Sequence, residues 1–225
     1  MLILPGLLCD SRMFAHQVSA LPGARVIDGL YGGANSIAAM ADFALARAPD
    51  RFALLGHSMG ARVALEVVRR APHRVERLAL ADTGVHDVRE GEREARQRLL
   101  DLGRAEGAAA LVDAWLPGML GRAATADEDL VATLRAMCID AGVETYAAQI
   151  EALLTRPSVG DLLPRIACPT LVIVGEEDRW SPVSQHREIA AAIPAARLRI
   201  VAGAGHMAPA ESPPAFNAAL AEWLG

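Results

Sequence analysis

Ser58 lies in the pentapeptide Gly56-His57-Ser58-Met59-Gly60, and Asp178 and His206 follow it far along the chain. A serine hydroxyl is a poor nucleophile at neutral pH. It attacks a carbonyl only when an imidazole takes its proton and a carboxylate holds that imidazole's tautomer and steadies its positive charge. Ser58, His206 and Asp178 are the residue types such a relay needs. Asp82 is a rival for the acid, because it too follows an apolar run. The glycines at 56 and 60 carry their own meaning. Where a serine is exposed on a sharp strand-to-helix turn, a side chain two residues before or after it would strike the strand or the helix. By chance alone a G-x-S-x-G is common, so its weight comes from what surrounds it.

Metal chemistry has no comparable pattern. No pair among His16, His57, His73, His86 and His186 has ligand spacing, and these residues are expected at the surface or behind the site. His57 is the exception, a candidate to line a cleft beside Ser58. Cys9, Cys138 and Cys168 are widely separated and form no Cys-x-x-Cys pair, so they read as reduced, small side chains and not as a disulfide set or zinc site. Neither a metal nor a cofactor is expected.

The elements around these residues give them a common destination. Phe52-Ala53-Leu54-Leu55 is long enough for a buried strand and too short for a helix, and the apolar residues from Ala61 to Val68 suit a buried helix. Ser58 is thus expected at the carboxyl end of a strand, with a helix N-terminus behind it whose N–H groups favour developing negative charge. Leu2–Leu4, Ala24–Ile27, Val75–Leu80, Thr170–Val174 and Arg197–Val201 read as further strands. Helices are expected over residues 11–21 with Ser11 as N-cap, from Asn35 or Ser36 to about Ala48, over 184–193, and from Pro213 through Trp223. Alternating strands and helices predict a mostly parallel sheet flanked by helices, with ligands held beyond the strand carboxyl ends. Asp178 and His206 stand just past two such ends, so all three residues can meet at one edge.

The alternation breaks between His86 and Leu163. Four helices are expected there, over Glu90–Glu106, Ala108–Leu116, Asp127–Asp140 and Val143–Thr155. The first is dense in Arg and Glu and reads as a solvated face. The middle is apolar, with Leu111, Trp115, Leu116 and Met119 at helical spacing. The resulting division is a core of residues 1–85 and 164–225 and a helical cap of residues 86–163.

Composition narrows the partners. The chain has 225 residues, is 52% hydrophobic, and carries a net charge of −5. Its basic residues are all arginine and form no stripe able to track phosphates, so nucleic acid is not an expected partner. The N-terminus has no positive segment followed by a long apolar one, and no stretch reaches the length of a membrane span. The expectation is a cytoplasmic protein without membrane contact; its oligomeric state is left open.

Four motifs in order carry a resemblance: Leu4-Pro5-Gly6-Leu7 after the first strand, Gly56 to Gly60, Gly175-Glu176-Glu177-Asp178, and Gly205-His206. Together they resemble the α/β-hydrolase superfamily, in its small members with a helical cap, over nearly the whole chain. The resemblance implies Ser58 as nucleophile, Asp178 as orienting acid and His206 as general base. It also implies an oxyanion hole from the backbone N–H groups of Leu7 and Met59. Two departures stand out. The chain starts on what would be the family's third strand, and Pro5 replaces the usual histidine before the oxyanion glycine.

The function this implies is a cofactor-free serine hydrolase that cleaves a small carboxylic ester through an acyl-enzyme. A serine at the elbow disfavours the dehalogenase and epoxide hydrolase chemistries for which the superfamily uses aspartate. Hydrolysis of a C–C bond in a β-diketone or ring-cleavage product, and lactonase, thioesterase or perhydrolase activity, use the same residues. A small-molecule receptor with a retained triad is the alternative of another class. The pocket is expected to be small and mostly apolar, taking a substrate with an apolar acyl part, with His57, Trp115, Met119, Trp180 and Met207 as its candidate residues.

Overall fold

The computed structural model describes residues 1–225. Six parallel strands form one sheet: β1 (Leu2–Leu4), β2 (Arg25–Val26), β3 (Phe52–His57), β4 (Val75–Ala81), β5 (Thr170–Gly175) and β6 (Arg197–Val201), in the order β2-β1-β3-β4-β5-β6. β5 is buried at all six positions, as a β-branched apolar run in a central parallel strand must be. Each such Leu, Ile or Val stabilises by about 1.5–3 kcal/mol on burial, before the entropy of ordering the chain is subtracted.

Helices flank the sheet. α1 (Ala15–Ala20) precedes β2, α2 (Ile37–Leu45) precedes β3, and α3 (Met59–Arg70) leads from β3 to β4. The insertion between β4 and β5 holds α4 (Glu92–Glu106), α5 (Ala108–Trp115), α6 (Arg122–Thr125), α7 (Glu128–Ala141) and α8 (Val143–Leu154). The chain ends with α9 (Val183–Ala192) before β6, then α10 (Ala208–Glu211) and α11 (Pro213–Leu224). Leu111, Trp115, Met137, Tyr146 and Ile150 of the insertion belong to the same cluster of 62 buried hydrophobic residues as the strands. The insertion therefore shares the core of the sheet instead of forming its own.

Several local expectations shift. Ser11 is not an N-cap: Asp10 accepts from the Arg12 N–H, and a 3-10 turn over Ser11–Phe14 precedes α1. Ser36 does cap α2, accepting from the Ala39 N–H. β2 is only two residues long, as suits an edge strand with one neighbour. The charged face of α4 is not wholly solvated. Arg96 is buried, because Glu92 one turn earlier accepts its guanidinium at 3.0 Å and also that of Arg156 at 2.7 Å. A buried charge is tolerated when paired and hydrogen-bonded. No helix is long and apolar enough to cross a membrane.

Register aligns the loops that matter. His57 is opposite Ala81, Ala81 is opposite Ile173, and Gly175 is opposite Val201. The residues following β3, β4, β5 and β6 therefore leave the sheet along one edge. The strand order reverses at β1, whose neighbours are β2 and β3. In an open parallel sheet the crevice outside such a switch point is where ligands bind, and Leu7 and Ser58 emerge there.

Candidate active site

Ser58 sits between β3 and α3 with φ 54° and ψ −115°, a conformation that costs strain for any residue with a Cβ. The two glycines make the turn possible. A Cβ on Gly56 would lie 2.5 Å from Ala61 Cα, and one on Gly60 would lie 2.5 Å from the Pro5 carbonyl oxygen. Neither neighbour can yield, since both are backbone. The strain is held by the buried helix that follows, in which every residue from Met59 to Val68 is buried.

His206 Nε2 stands 2.8 Å from Ser58 Oγ, and His206 Nδ1 stands 2.8 Å from Asp178 Oδ2. Asp178 is itself fixed, since its Oδ1 accepts the backbone N–H groups of Trp180 and Ser181 at 2.9 and 2.8 Å. Burial pushes its pKa up, but the His206 imidazole and these hydrogen bonds outweigh burial and hold the carboxyl below its ordinary value. Asp178 therefore stays ionised and holds the proton of His206 on Nδ1, leaving Nε2 free to accept from Ser58.

Asp82, the rival acid, does not reach His206. Its Oδ1 accepts the Gly175 N–H at 2.8 Å, and its Oδ2 has no hydrogen-bond partner. Burial, then the charge of Asp178, push its pKa well above the ordinary value, and its Oδ1 ties the end of β4 to β5.

The loop bearing His206 is clamped from three directions. Its N–H donates to the Met119 carbonyl at 2.7 Å, reaching into the insertion. Glu211 accepts the N–H groups of Gly205 and Gly121 through Oε2 and that of Met207 through Oε1. His57 Nε2 donates to the His206 carbonyl at 2.8 Å from behind. That bond places the His57 proton on Nε2, and burial with the neighbouring His206 lowers its pKa to about 3. His186 is buried and neutral too, because its Nε2 accepts the Thr83 N–H at 2.8 Å. Sequence reasoning passed over Glu211, while His186, expected at the surface or behind the site, is buried. Glu211 follows His206 closely in the chain, but its clamp joins segments that sequence does not connect.

The cleft over Ser58 has a volume of about 370 Å³. Leu7 and Met59 border it. The Leu7 N–H donates to no protein acceptor, and that of Met59, at the first position of a helix, lacks an intrahelical partner. Gly6 lets the Leu7 loop come this close, since a Cβ there would lie 3.1 Å from Ser58 Cβ. Of the candidate pocket residues, Trp115, Met119 and Trp180 line the cleft, Trp180 at its rim with 47% of its surface exposed. His57 and Met207 do not: both are buried behind the His206 loop. Leu111 is also away from the cleft, packed toward Gly103 of α4.

The pocket carries more charged residues than expected, although most of its lining surface is apolar. Only 6 of the 19 lining residues are hydrophobic, and Arg62, Arg89, Glu90, Glu92, Arg96 and Arg156 are among the rest. The segment leading from β4 into α4 and the end of α8 bring charge over the strand edge, which the apolar middle of the insertion did not foretell. The three cysteines are free, and no group of three or more His, Cys, Asp or Glu side chains is arranged to hold a metal ion.

Comparison with known proteins agrees with this fold. An esterase structure from Thermogutta terrifontis, malate bound, is 28% identical with a TM-score of 0.88, covering 99% of this chain and 88% of that one. The enol-lactonase from Burkholderia xenovorans LB400 is 27% identical with a TM-score of 0.87, covering 99% of this chain and 90% of that one. A Klebsiella pneumoniae protein provisionally named a carbamate hydrolase is 29% identical over 185 residues, which are 77% of this chain and 66% of that one. The chain thus spans about two thirds of the length of the curated relatives it matches. The family model described as "Alpha/beta hydrolase family" matches residues 1–219. With its six-stranded parallel sheet and the turn at Ser58, this chain belongs to the alpha/beta hydrolase family.

Proposed function

We propose that this protein is a cofactor-free serine hydrolase that cleaves a small carboxylic ester through an acyl-enzyme. The observation that supports it is the continuous relay of Ser58, His206 and Asp178 at hydrogen-bond distance, opening into a cleft. In this reading Ser58 Oγ attacks the ester carbonyl and gives its proton to His206 Nε2. The new C–O bond leaves a tetrahedral oxyanion facing the Leu7 and Met59 N–H groups. His206 passes the proton to the leaving alcohol as the old C–O bond breaks. A water molecule then gives its proton to His206, adds to the acyl carbon, and releases the acid, and Ser58 regains its proton. Asp178 stays ionised throughout and stabilises the imidazolium.

Residues 86–163 act in this proposal as a cap over a core of residues 1–85 and 164–225. Trp115 and Met119 supply its apolar contact with the substrate. Enol-lactone cleavage is a second reading, favoured by the similarity to the Burkholderia enol-lactonase, and it uses the same steps with the leaving group tethered. A turnover panel of aryl esters, thioesters, enol-lactones, carbamates and β-diketones at one enzyme concentration tests both. Esters hydrolysed fastest support the first reading, and enol-lactones fastest support the second. Turnover confined to β-diketones sinks both.

A further inference from the structure

Arg62 is the one buried side chain of the cleft whose environment leaves its charge unanswered. It lies in the first turn of α3, four residues beyond Ser58. Only 5% of its surface is exposed, and it lines the cleft together with Ser58 and His206. Its Nη2 donates to the His86 carbonyl, and its Nη1 has no partner at all. A buried guanidinium with an unpaired nitrogen is a costly arrangement unless something else pairs it.

The neighbouring charges do not supply that partner. Glu92, the one carboxylate deep in the cleft, is shared by Arg96 and Arg156, which take Oε1 and Oε2 between them. Arg156 adds further positive charge, and its Nε competes for the same His86 carbonyl as Arg62. Four arginines line the cleft against two glutamates, so it is positively charged although the protein is negative overall. Burial first, and Arg156 second, lower the Arg62 pKa to about 9, the shift of a cation short of a counter-ion.

We propose that the Arg62 guanidinium is the centre of an anion subsite in the cleft and that the substrate cleaved at Ser58 carries a carboxylate group. The inference rests on the serine hydrolase reading and names its substrate class. With Arg96 and Arg156 already engaged by Glu92, the Arg62 guanidinium suits a monoanionic carboxylate better than a phosphate dianion, which needs several donors. The apolar residues Leu7, Met59 and Trp115 line the same cleft, so the substrate joins a carboxylate to a short hydrocarbon part.

The test measures inhibition of p-nitrophenyl butyrate hydrolysis by glutarate, glutaramide and inorganic phosphate at constant ionic strength. Glutarate is expected to inhibit at one-tenth or less of the glutaramide concentration. In a folded Arg62→Gln protein that ratio is expected to fall toward one, and Arg62→Lys is expected to restore part of it. In parallel, p-nitrophenyl hydrogen glutarate is expected to exceed its methyl ester in kcat/KM by about tenfold in the unaltered protein. Equal inhibition by glutarate and glutaramide overturns the anion subsite, and stronger inhibition by phosphate overturns the carboxylate assignment. The unaltered protein decides both points if Arg62→Gln does not fold. Failure of the hydrolase reading is distinguishable: neither ester is then cleaved and a fluorophosphonate does not label Ser58.

Discussion

Replacing Asp178 by asparagine tests the relay, because the surroundings of that carboxylate dictate how the amide must sit. Asp178 Oδ1 accepts two backbone N–H groups, from Trp180 and Ser181, and Oδ2 faces His206 Nδ1. In Asp178→Asn the amide oxygen must take the Oδ1 position, since an NH2 group there would face two donors and forfeit two hydrogen bonds. Those bonds and the added repulsion make the wrong orientation costlier by about 3 kcal/mol, leaving it at roughly one part in a hundred. With the oxygen so placed, the NH2 group points at His206 Nδ1. The imidazole then moves its proton to Nε2 and can no longer accept from Ser58. Loss of the negative charge adds to this. A carboxylate about 4 Å from an imidazolium is worth about 4 kcal/mol at an effective dielectric constant near 20, and losing even half of that costs a further tenfold or more. The two effects together predict a fall in kcat of about 10³ to 10⁴-fold, the scale known for such a change in Ser-His-Asp triads. Asp82→Asn is the control. Asp82 makes no hydrogen bond to His206 and its Oδ1 keeps the Gly175 N–H, so the isosteric amide is expected to change kcat less than tenfold. The assay is kcat and kcat/KM on p-nitrophenyl acetate, with urea unfolding to show that both variants fold. A folded Asp178→Asn protein that keeps more than a tenth of its kcat would refute the reasoning, as would an Asp82→Asn protein that loses more than a hundredfold.

Other expectations concern the nucleophile, the pocket and pH. Ser58 is expected to be the single residue modified by a fluorophosphonate, and Ser58→Ala to lose several orders of magnitude in kcat; intact-mass labelling that persists in the alanine variant would contradict this. Trp115 lines the cleft and is 6% exposed, so Trp115→Ala is expected to flatten the rise of kcat/KM with acyl length, about 0.8 kcal/mol per methylene, and to lower stability by about 3–5 kcal/mol. An unchanged length profile in a destabilised protein removes Trp115 from the pocket. His186 has a folded pKa of about 4, lowered from 6.5 chiefly by burial, so only the unfolded chain binds its proton between those values. Its stability contribution is complete above pH 6.5 and lost as pH falls toward 4, by about 2 kcal/mol at pH 5. Urea unfolding at pH 7 and 5 is expected to show that loss and a shallower one in His186→Gln; equal slopes would exclude His186 as a cause.

Much of the molecule was legible without coordinates, for a local reason. Gly56, Ser58 and Gly60 are dictated by a turn of five residues, and the apolar runs at 52–55 and 170–174 are strands because nothing else buries them on both faces. The division into an alternating part and a helical insertion followed from the same periodicities. Alternation also implied that Asp178 and His206 leave the sheet at Ser58's edge. Which aspartate meets His206 was not decidable from position, because Asp82 and Asp178 both follow strands. Only the three-dimensional placement shows Oδ2 of Asp178 on the imidazole and Asp82 turned to the Gly175 N–H. The pocket's character was hidden for a related reason. The apolar residues of α5 appear in sequence as one stripe, but Leu111 faces α4 while Trp115 faces the cleft. Arg62 belongs to a helix whose pattern reads as core, and Glu92 and Arg96 to one that reads as surface. Their convergence with Arg156 depends on how α3, α4 and α8 pack together, over separations that no local pattern encodes.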